Sequence, residues 1–124
     1  MMDQPSILEL VSAVREFIET RAMPELKGHT AFHARVAANA LAIVARELEH
    51  AGASGEAERA RLIALLGHEG TLMELNRSLC GHIREGAIDL GTPGLAELLV
   101  ATTRDKVAID QPNYSGLKRL ISGS

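Results

Sequence analysis

Cysteine, aromatic residues and excess positive charge are all scarce in this sequence. The single cysteine, Cys80, excludes an internal disulfide and leaves no CxxC pair for zinc. Tryptophan is absent, aromatic residues make up 2% of the chain, and 13 Lys and Arg stand against 16 Asp and Glu, for a net charge of -3. A chain of this composition has no positive field to attract a phosphate backbone. We therefore expect no nucleic-acid partner.

Long apolar runs are missing as well. The first residues, MMDQPSILELVSAVREF, carry charges among their apolar positions, unlike the apolar centre of a secretory signal. No uncharged apolar run reaches membrane-spanning length. From these absences we expect a cytoplasmic protein without a membrane partner. Its 124 residues suit one helical domain over residues 1–124.

Helical periodicity dominates what is present. Ser6 and Glu9 form a capping box before a first helix that runs to Pro24. A second helix begins near residues 28–30, and we expect Gly52 to end it. Ser54 then caps a third helix, which stops at Gly67.

Later capping signals predict two further helices. Thr71 and Glu74 form a second capping box, and Thr92 followed by Pro93 opens a helix that Pro112 closes. The tail NYSGLKRLISGS forms a short terminal helix or an arm. The pattern predicts an all-α fold, a compact bundle of about five amphipathic helices.

Three of these helices carry a polar residue on the apolar face. His33 falls near the middle of an apolar arc on the second helix, Asn76 lies between apolar positions of the fourth, and Lys106 lies between Leu95 and Leu99 on the fifth. If the helices pack together, these side chains form a partly buried cluster that could bind a ligand. The arc itself consists of Phe32, Val36, Ala37, Ala40, Leu41, Ile43, Val44 and Leu48.

A structural interpretation stands beside the ligand pocket, and for His33 we favour it. In this interpretation His33 is a core histidine whose ring nitrogens have hydrogen-bond partners, and Asn76 bonds to His33 or to a loop carbonyl. Lys106 extends its ammonium group to water. Cys80 is expected to be a small, inert core residue.

Arg35 and Asn39 lie together with Arg46 on one edge of the arc. Their geometry suits a carboxylate or phosphate group, although a charged edge of this kind is usually just solvated. His29 and His33 share a helix face, but no Glu follows the first histidine and no third ligand is evident, so we expect no metal. The sequence has no catalytic motif and gives no reason to expect a cofactor.

Three stretches carry a resemblance to a known family: FHARVAANALAIVARELE, LLGHEGTLMELNRSL and RDKVAIDQPNY. With them the chain resembles an uncharacterised family of small bacterial all-helical proteins, a domain of unknown function, from PSILELVSAVREF to Tyr114. Genes of that family lie beside phosphotransferases of the aminoglycoside and choline kinase type and beside acyl-CoA dehydrogenases. The resemblance implies a setting in acyl or hydroxyacyl catabolism, and it implies no catalytic residue.

Two functions remain open at this point. The favoured one is a noncatalytic accessory protein that binds a phosphotransferase or an acyl-CoA dehydrogenase and self-associates, a homodimer being one form. Its apolar patch is expected to include the tail residues Tyr114, Leu117, Leu120 and Ile121. The alternative is a protein or enzyme that binds a small molecule or an acyl thioester around His33, Asn76 and Lys106.

Overall fold

The computed structural model describes residues 4–122, and the regular structure in that range is helical, with no strand. The predicted all-α fold class is confirmed. A π-helical turn, Ile18–Ala22, and a 3-10 turn, Met23–Glu25, follow the first helix. The helices are α1 Ile7–Phe17, α2 Gly28–Leu66, α3 Leu72–Glu85, α4 Leu95–Asp110 and α5 Ser115–Ile121.

Both predicted capping boxes are present. The Ser6 hydroxyl accepts from the amide of Glu9 at 3.1 Å, and the Ser6 amide donates to the Glu9 carboxylate at 2.9 Å. Thr71 and Glu74 make the same pair of bonds, at 3.1 and 2.8 Å. Each box satisfies amides that a helix start leaves without an internal partner, so α1 and α3 begin where the sequence predicts.

The predicted break at Gly52 is wrong. Residues 52–55 are helical, and the second and third predicted helices are one helix, α2. A glycine in a helix interior costs only about 1 kcal/mol relative to alanine. The neighbours Ala51, Ala53 and the segment 56–61 are mostly good helix formers, so the helix continues to Gly67, whose φ of 79° marks its end.

The predicted start of the last long helix is also wrong, by a few residues. Thr92 does not cap α4, because its hydroxyl accepts from the amide of Asp89 at 3.0 Å. The Asp89 carboxylate in turn accepts from the amide of Gly91 at 2.9 Å. Thr92 thus belongs to the preceding turn, and the N-cap of α4 is Gly94, with φ of 96°.

The chain divides into two compact units, Met1–Ala51 and Gly52–Ser124, and the boundary falls within α2. Among the described residues of the first unit, the buried side chains are those of Ala38, Ala42 and Ala45. The second unit has a leucine core. Its buried apolar residues are Leu62, Leu75, Leu79, Leu95, Leu98, Ile109 and Leu117. The expectation of one domain over residues 1–124 stays a prediction.

Between residues 4 and 122, none of the helices combines the length and the apolar character needed to cross a membrane.

Candidate binding site

An open apolar groove lies between α4 and α5 in the second unit. Pro112 lacks an amide hydrogen and lies two residues after Asp110, the last residue of α4, so the chain turns and the Tyr114 amide donates to the Gln111 carbonyl at 3.0 Å. α5 then packs against α4 through Leu117, which is buried. The space left between the two helices measures about 390 Å³.

The lining of this groove is apolar except at a few positions. Arg104 and Thr103 of α4 and the Tyr114 side chain supply the polar groups. Leu99 and Val100 lie one helical turn before Thr103 and Arg104, on the same face of α4. The apolar lining consists of Leu99, Val100, Val107, Leu117 and Leu120, with Gly116 beside them.

The Tyr114 ring lines the groove beside Gly116. It lies over Gly116, where a Cβ would come within 3.1 Å of the ring carbon Cζ and within 3.2 Å of Cδ2. Real Cβ atoms rarely make contacts that close, so a side chain at position 116 would displace the ring. Glycine at this position therefore lets Tyr114 form part of the groove wall.

Two further grooves lie along α4. One, of about 380 Å³, runs between Arg61–Leu65 of α2 and the first turns of α4. The other, also about 380 Å³, shares Val100, Arg104 and Leu120 with the α4–α5 groove. Exposed apolar surface thus continues around the outer side of α4, and Arg104 lies within it.

The second unit also holds two partly buried polar contacts. Glu58 is 7% exposed, and its carboxylate accepts from the Asn76 amide at 3.1 Å, while the same amide donates to the Leu72 carbonyl at 3.1 Å. Arg61 donates to Thr102 at 3.3 Å and forms an ion pair with Asp105 at 3.2 Å. Both contacts join α2 to another helix, and the partner that Asn76 requires is Glu58.

The predicted ligand residues are distributed over both units. His33, Arg35 and Asn39 belong to the first unit, whereas Asn76 and Lys106 belong to the second. The side chains of His33, Lys106, Arg35 and Asn39 are exposed, and Asn76 is half-buried. The structure does not bury His33 in the core, and its ring lies edge-on to the Phe32 ring with centroids 5.5 Å apart. A ligand role for these five residues stays a prediction.

Other expectations are corrected by burial. Cys80, expected in the core, is exposed. Of the four tail residues, Leu117 is buried and so is not part of an exposed patch, while Tyr114, Leu120 and Ile121 are 57%, 44% and 63% exposed. On α2 four large members of the predicted apolar arc are exposed and two, Leu41 and Ile43, are half-buried, because the helix buries the opposite, alanine-rich face. Helical periodicity identifies an apolar face but does not determine what covers it.

The GHEG turn makes a small hydrogen-bonded network. His68 Nδ1–H donates to the Glu69 carbonyl at 3.0 Å, and Nε2 is hydrogen-bonded to the Ser78 hydroxyl at 3.3 Å. Arg59 of α2 donates to the Gly70 carbonyl at 2.9 Å and to the Glu69 carboxylate at 3.1 Å. These bonds fasten the turn of residues 67–70 between α2 and α3, where the sequence predicts a helix stop at Gly67 and a new capping box at Thr71.

The ionisable groups with displaced pKa values are structural. The hydrogen bond from the Thr71 amide has the largest effect on Glu74 and lowers its pKa below the ordinary value, and the bond with the Thr71 hydroxyl lowers it further. The amide and the hydroxyl of Ser6 lower the pKa of Glu9 in the same way. Within residues 4–122 no three His, Cys, Asp or Glu side chains are grouped as metal ligands.

Residues 24–114 match the model of a family described as a domain of unknown function, DUF6285. The chain belongs to this family. The matched region covers α2, α3 and α4 and ends at Tyr114, so α1 and α5 lie outside it. Neither the curated proteins nor the solved structures contain a match to the chain. The groove therefore combines a wall from the DUF6285 region with a wall from the helix that follows it.

Proposed function

We propose that this chain is a noncatalytic accessory or binding protein that associates with a kinase-like phosphotransferase in bacterial acyl or hydroxyacyl-CoA metabolism. The resemblance described above implies that setting. The observation that carries the binding role is the α4–α5 groove. It is open along its length, mainly apolar and bordered by a single cation, Arg104.

An open groove suits a segment of a partner protein better than a free small molecule. Small-molecule pockets enclose most of the ligand surface, whereas grooves between helices take an amphipathic segment that inserts a few apolar side chains. Val100 and Leu120 are 50% and 44% exposed at the edges of the groove, as anchor positions require. Arg104 beside them suits an acidic residue on the incoming segment.

Co-expression with a phosphotransferase of the aminoglycoside or choline kinase type from the same genome tests this proposal. We expect a complex on size-exclusion chromatography with light scattering. Val100→Glu should weaken that complex at least about tenfold, since it places a charge among apolar anchors. Met73→Glu is the matched control, because Met73 is 66% exposed on α3 and lies outside the groove. Absence of a complex, or equal loss with both variants, contradicts the proposal.

A second candidate function uses the same groove. Its volume of about 390 Å³ lies in the range of ligand pockets, about 300–1,000 Å³, and an apolar lining with one cation suits an acyl chain that carries an anionic group. Calorimetric titration with octanoyl-CoA distinguishes this function from the first. Binding that Arg104→Glu abolishes and Arg77→Glu preserves places an acyl thioester in the groove. Binding that His33→Ala or Lys106→Ala abolishes instead favours the pocket predicted from the sequence.

A further inference from the structure

The first part of α2 has two apolar faces, and the larger side chains are on the exposed one. Ala38, Ala42 and Ala45 are buried, with exposed fractions of 2%, 7% and 7%. On the opposite side Phe32 is 63% exposed, and Val36, Val44 and Leu48 are 43% to 49% exposed. A helix that buries alanine and exposes phenylalanine, valine and leucine presents surface that water disfavours.

The exposed side forms a stripe with its smallest residue at the centre. We define the α2 stripe as Phe32, Val36, Ala40, Val44 and Leu48, which recur every four residues. Each lies about 40° further around the helix than the one before it, so Ala40 is central and Phe32 and Leu48 lie at the two edges. Ala40 has as many stripe positions before it as after it. A two-fold axis beside Ala40 therefore places Val36 of one copy at the level of Val44 of the second, with Phe32 and Leu48 at the edges of the contact. The two Ala40 methyl groups let the helices approach closely.

Charge supports the same arrangement. His33 lies seven residues before Ala40 and Glu47 lies seven residues after it. At about 100° per residue, both lie within about 20° of the direction of Ala40, so both are on the side that carries the stripe. Antiparallel pairing places the His33 ring of each copy beside the Glu47 carboxylate of the other. In a parallel pair, His33 faces His33 and Glu47 faces Glu47 of the other copy. The charges therefore favour the antiparallel form.

We propose that the α2 stripe is a two-fold interface at which a second copy of this chain packs antiparallel, with Ala40 on the axis and His33 paired with Glu47 of the partner subunit. This interface lies in the first unit and is separate from the α4–α5 groove of the second unit. Its occupant is the chain itself, because Ala40 leaves room at the axis and the charges of His33 and Glu47 beside the stripe complement their own two-fold copy.

Sedimentation equilibrium of the purified full chain over a wide range of concentration tests the interface without any other protein. We expect a concentration-dependent dimer. Ala40→Glu should weaken it at least about tenfold, since it brings two like charges together on the axis. A wild-type chain that stays monomeric throughout overturns the proposal, and so does a dimer that Ala40→Glu leaves unchanged.

A charge-reversal experiment tests the antiparallel register. His33→Glu and Glu47→Lys should each weaken the dimer, and the double variant should recover most of the wild-type affinity. Within one chain the two positions are about 21 Å apart along the helix, so recovery requires contact between copies. Glu49→Lys is the matched control, because it makes the same charge change on an exposed residue of the opposite side. Failure of the double variant to recover affinity overturns the pairing.

The two tests are independent of the proposed function. The dimer is measured on the chain alone, and the phosphotransferase complex is measured with variants of α4. The melting temperature and helical content of each variant show whether it folds. The double variant carries both charge changes, so its dimer affinity is compared with that of each single variant.

Discussion

The two units of this chain bury different kinds of residue. In the second unit leucines from α2, α3 and α4 meet in a core, with Leu62 and Leu75 fully buried. In the first unit the buried residues among those described are alanines, and α1 has no buried residue. Burial of apolar area is the main favourable contribution to folding, and an alanine side chain offers little of it. The second unit therefore has a leucine core of its own, whereas the first leaves several of its larger apolar side chains exposed.

Leucine truncation in each unit is the strongest test of this contrast. Leu62→Ala should lower the free energy of unfolding by about 2–5 kcal/mol, since it removes a fully buried side chain and leaves a cavity. Leu48→Ala removes the same atoms from a side chain that is 44% exposed. It should change the stability of the dilute protein by less than about 0.5 kcal/mol. Urea unfolding followed by circular dichroism measures both, and equal losses refute the contrast.

Enlarging two neighbouring alanines tests the first unit by itself. Ala38→Leu should destabilise the protein by about 1–3 kcal/mol, because Ala38 is 2% exposed and the added atoms have no space. Ala40→Leu adds the same atoms on the exposed side of the helix and should leave the dilute protein within about 0.5 kcal/mol of wild type. A destabilisation by Ala40→Leu similar to that by Ala38→Leu shows that the exposed side is covered within the chain.

The smallest expected effect is on acid sensitivity. The folded pKa of Glu74 lies below its ordinary value of 4.5, so its contribution to stability is present above the unfolded pKa and is lost as the pH falls through the folded pKa. Glu74→Gln keeps the capping bonds but does not titrate, so its melting temperature should fall less steeply below about pH 4.5.

The same change in the first unit is the control for Glu74→Gln. Glu9→Gln alters the equivalent capping box of α1, and the pKa of Glu9 is lowered in the same way. Because α1 has no buried residue, it opens at low cost and its cap contributes less to the global transition. Thermal melts at several pH values should therefore respond less to Glu9→Gln than to Glu74→Gln, and an equal response contradicts the difference between the units.

Local sequence signals predicted the helix class and most helix ends. Ser6 with Glu9, Thr71 with Glu74, and Gly67 act through bonds and dihedral angles within a few residues, so the sequence alone reveals them. Gly52 shows the limit of such signals, because the cost of Gly52 and Gly55 was set against a long run of helix formers whose sum determined the outcome.

The candidate site was harder to predict because it depends on tertiary packing. Projection of α2 located its apolar arc, but which side faces the rest of the chain depends on where the alanines pack. Tyr114 and Leu120 were predicted as exposed apolar residues of the tail, whereas Arg104 became notable only once α5 lay beside α4. The partner of Asn76, Glu58, lies 18 residues away on another helix, and no local pattern connects them.

The position of Tyr114 has a practical consequence. The sequence contains no tryptophan and only this tyrosine, so the near-ultraviolet emission of the chain comes almost wholly from one ring. That ring lies over Gly116 and forms part of the groove wall. A molecule that enters the groove therefore changes the polarity around the Tyr114 ring, and with it the tyrosine emission. The unlabelled protein can therefore be screened against non-fluorescent acyl compounds by its tyrosine fluorescence, with no probe attached.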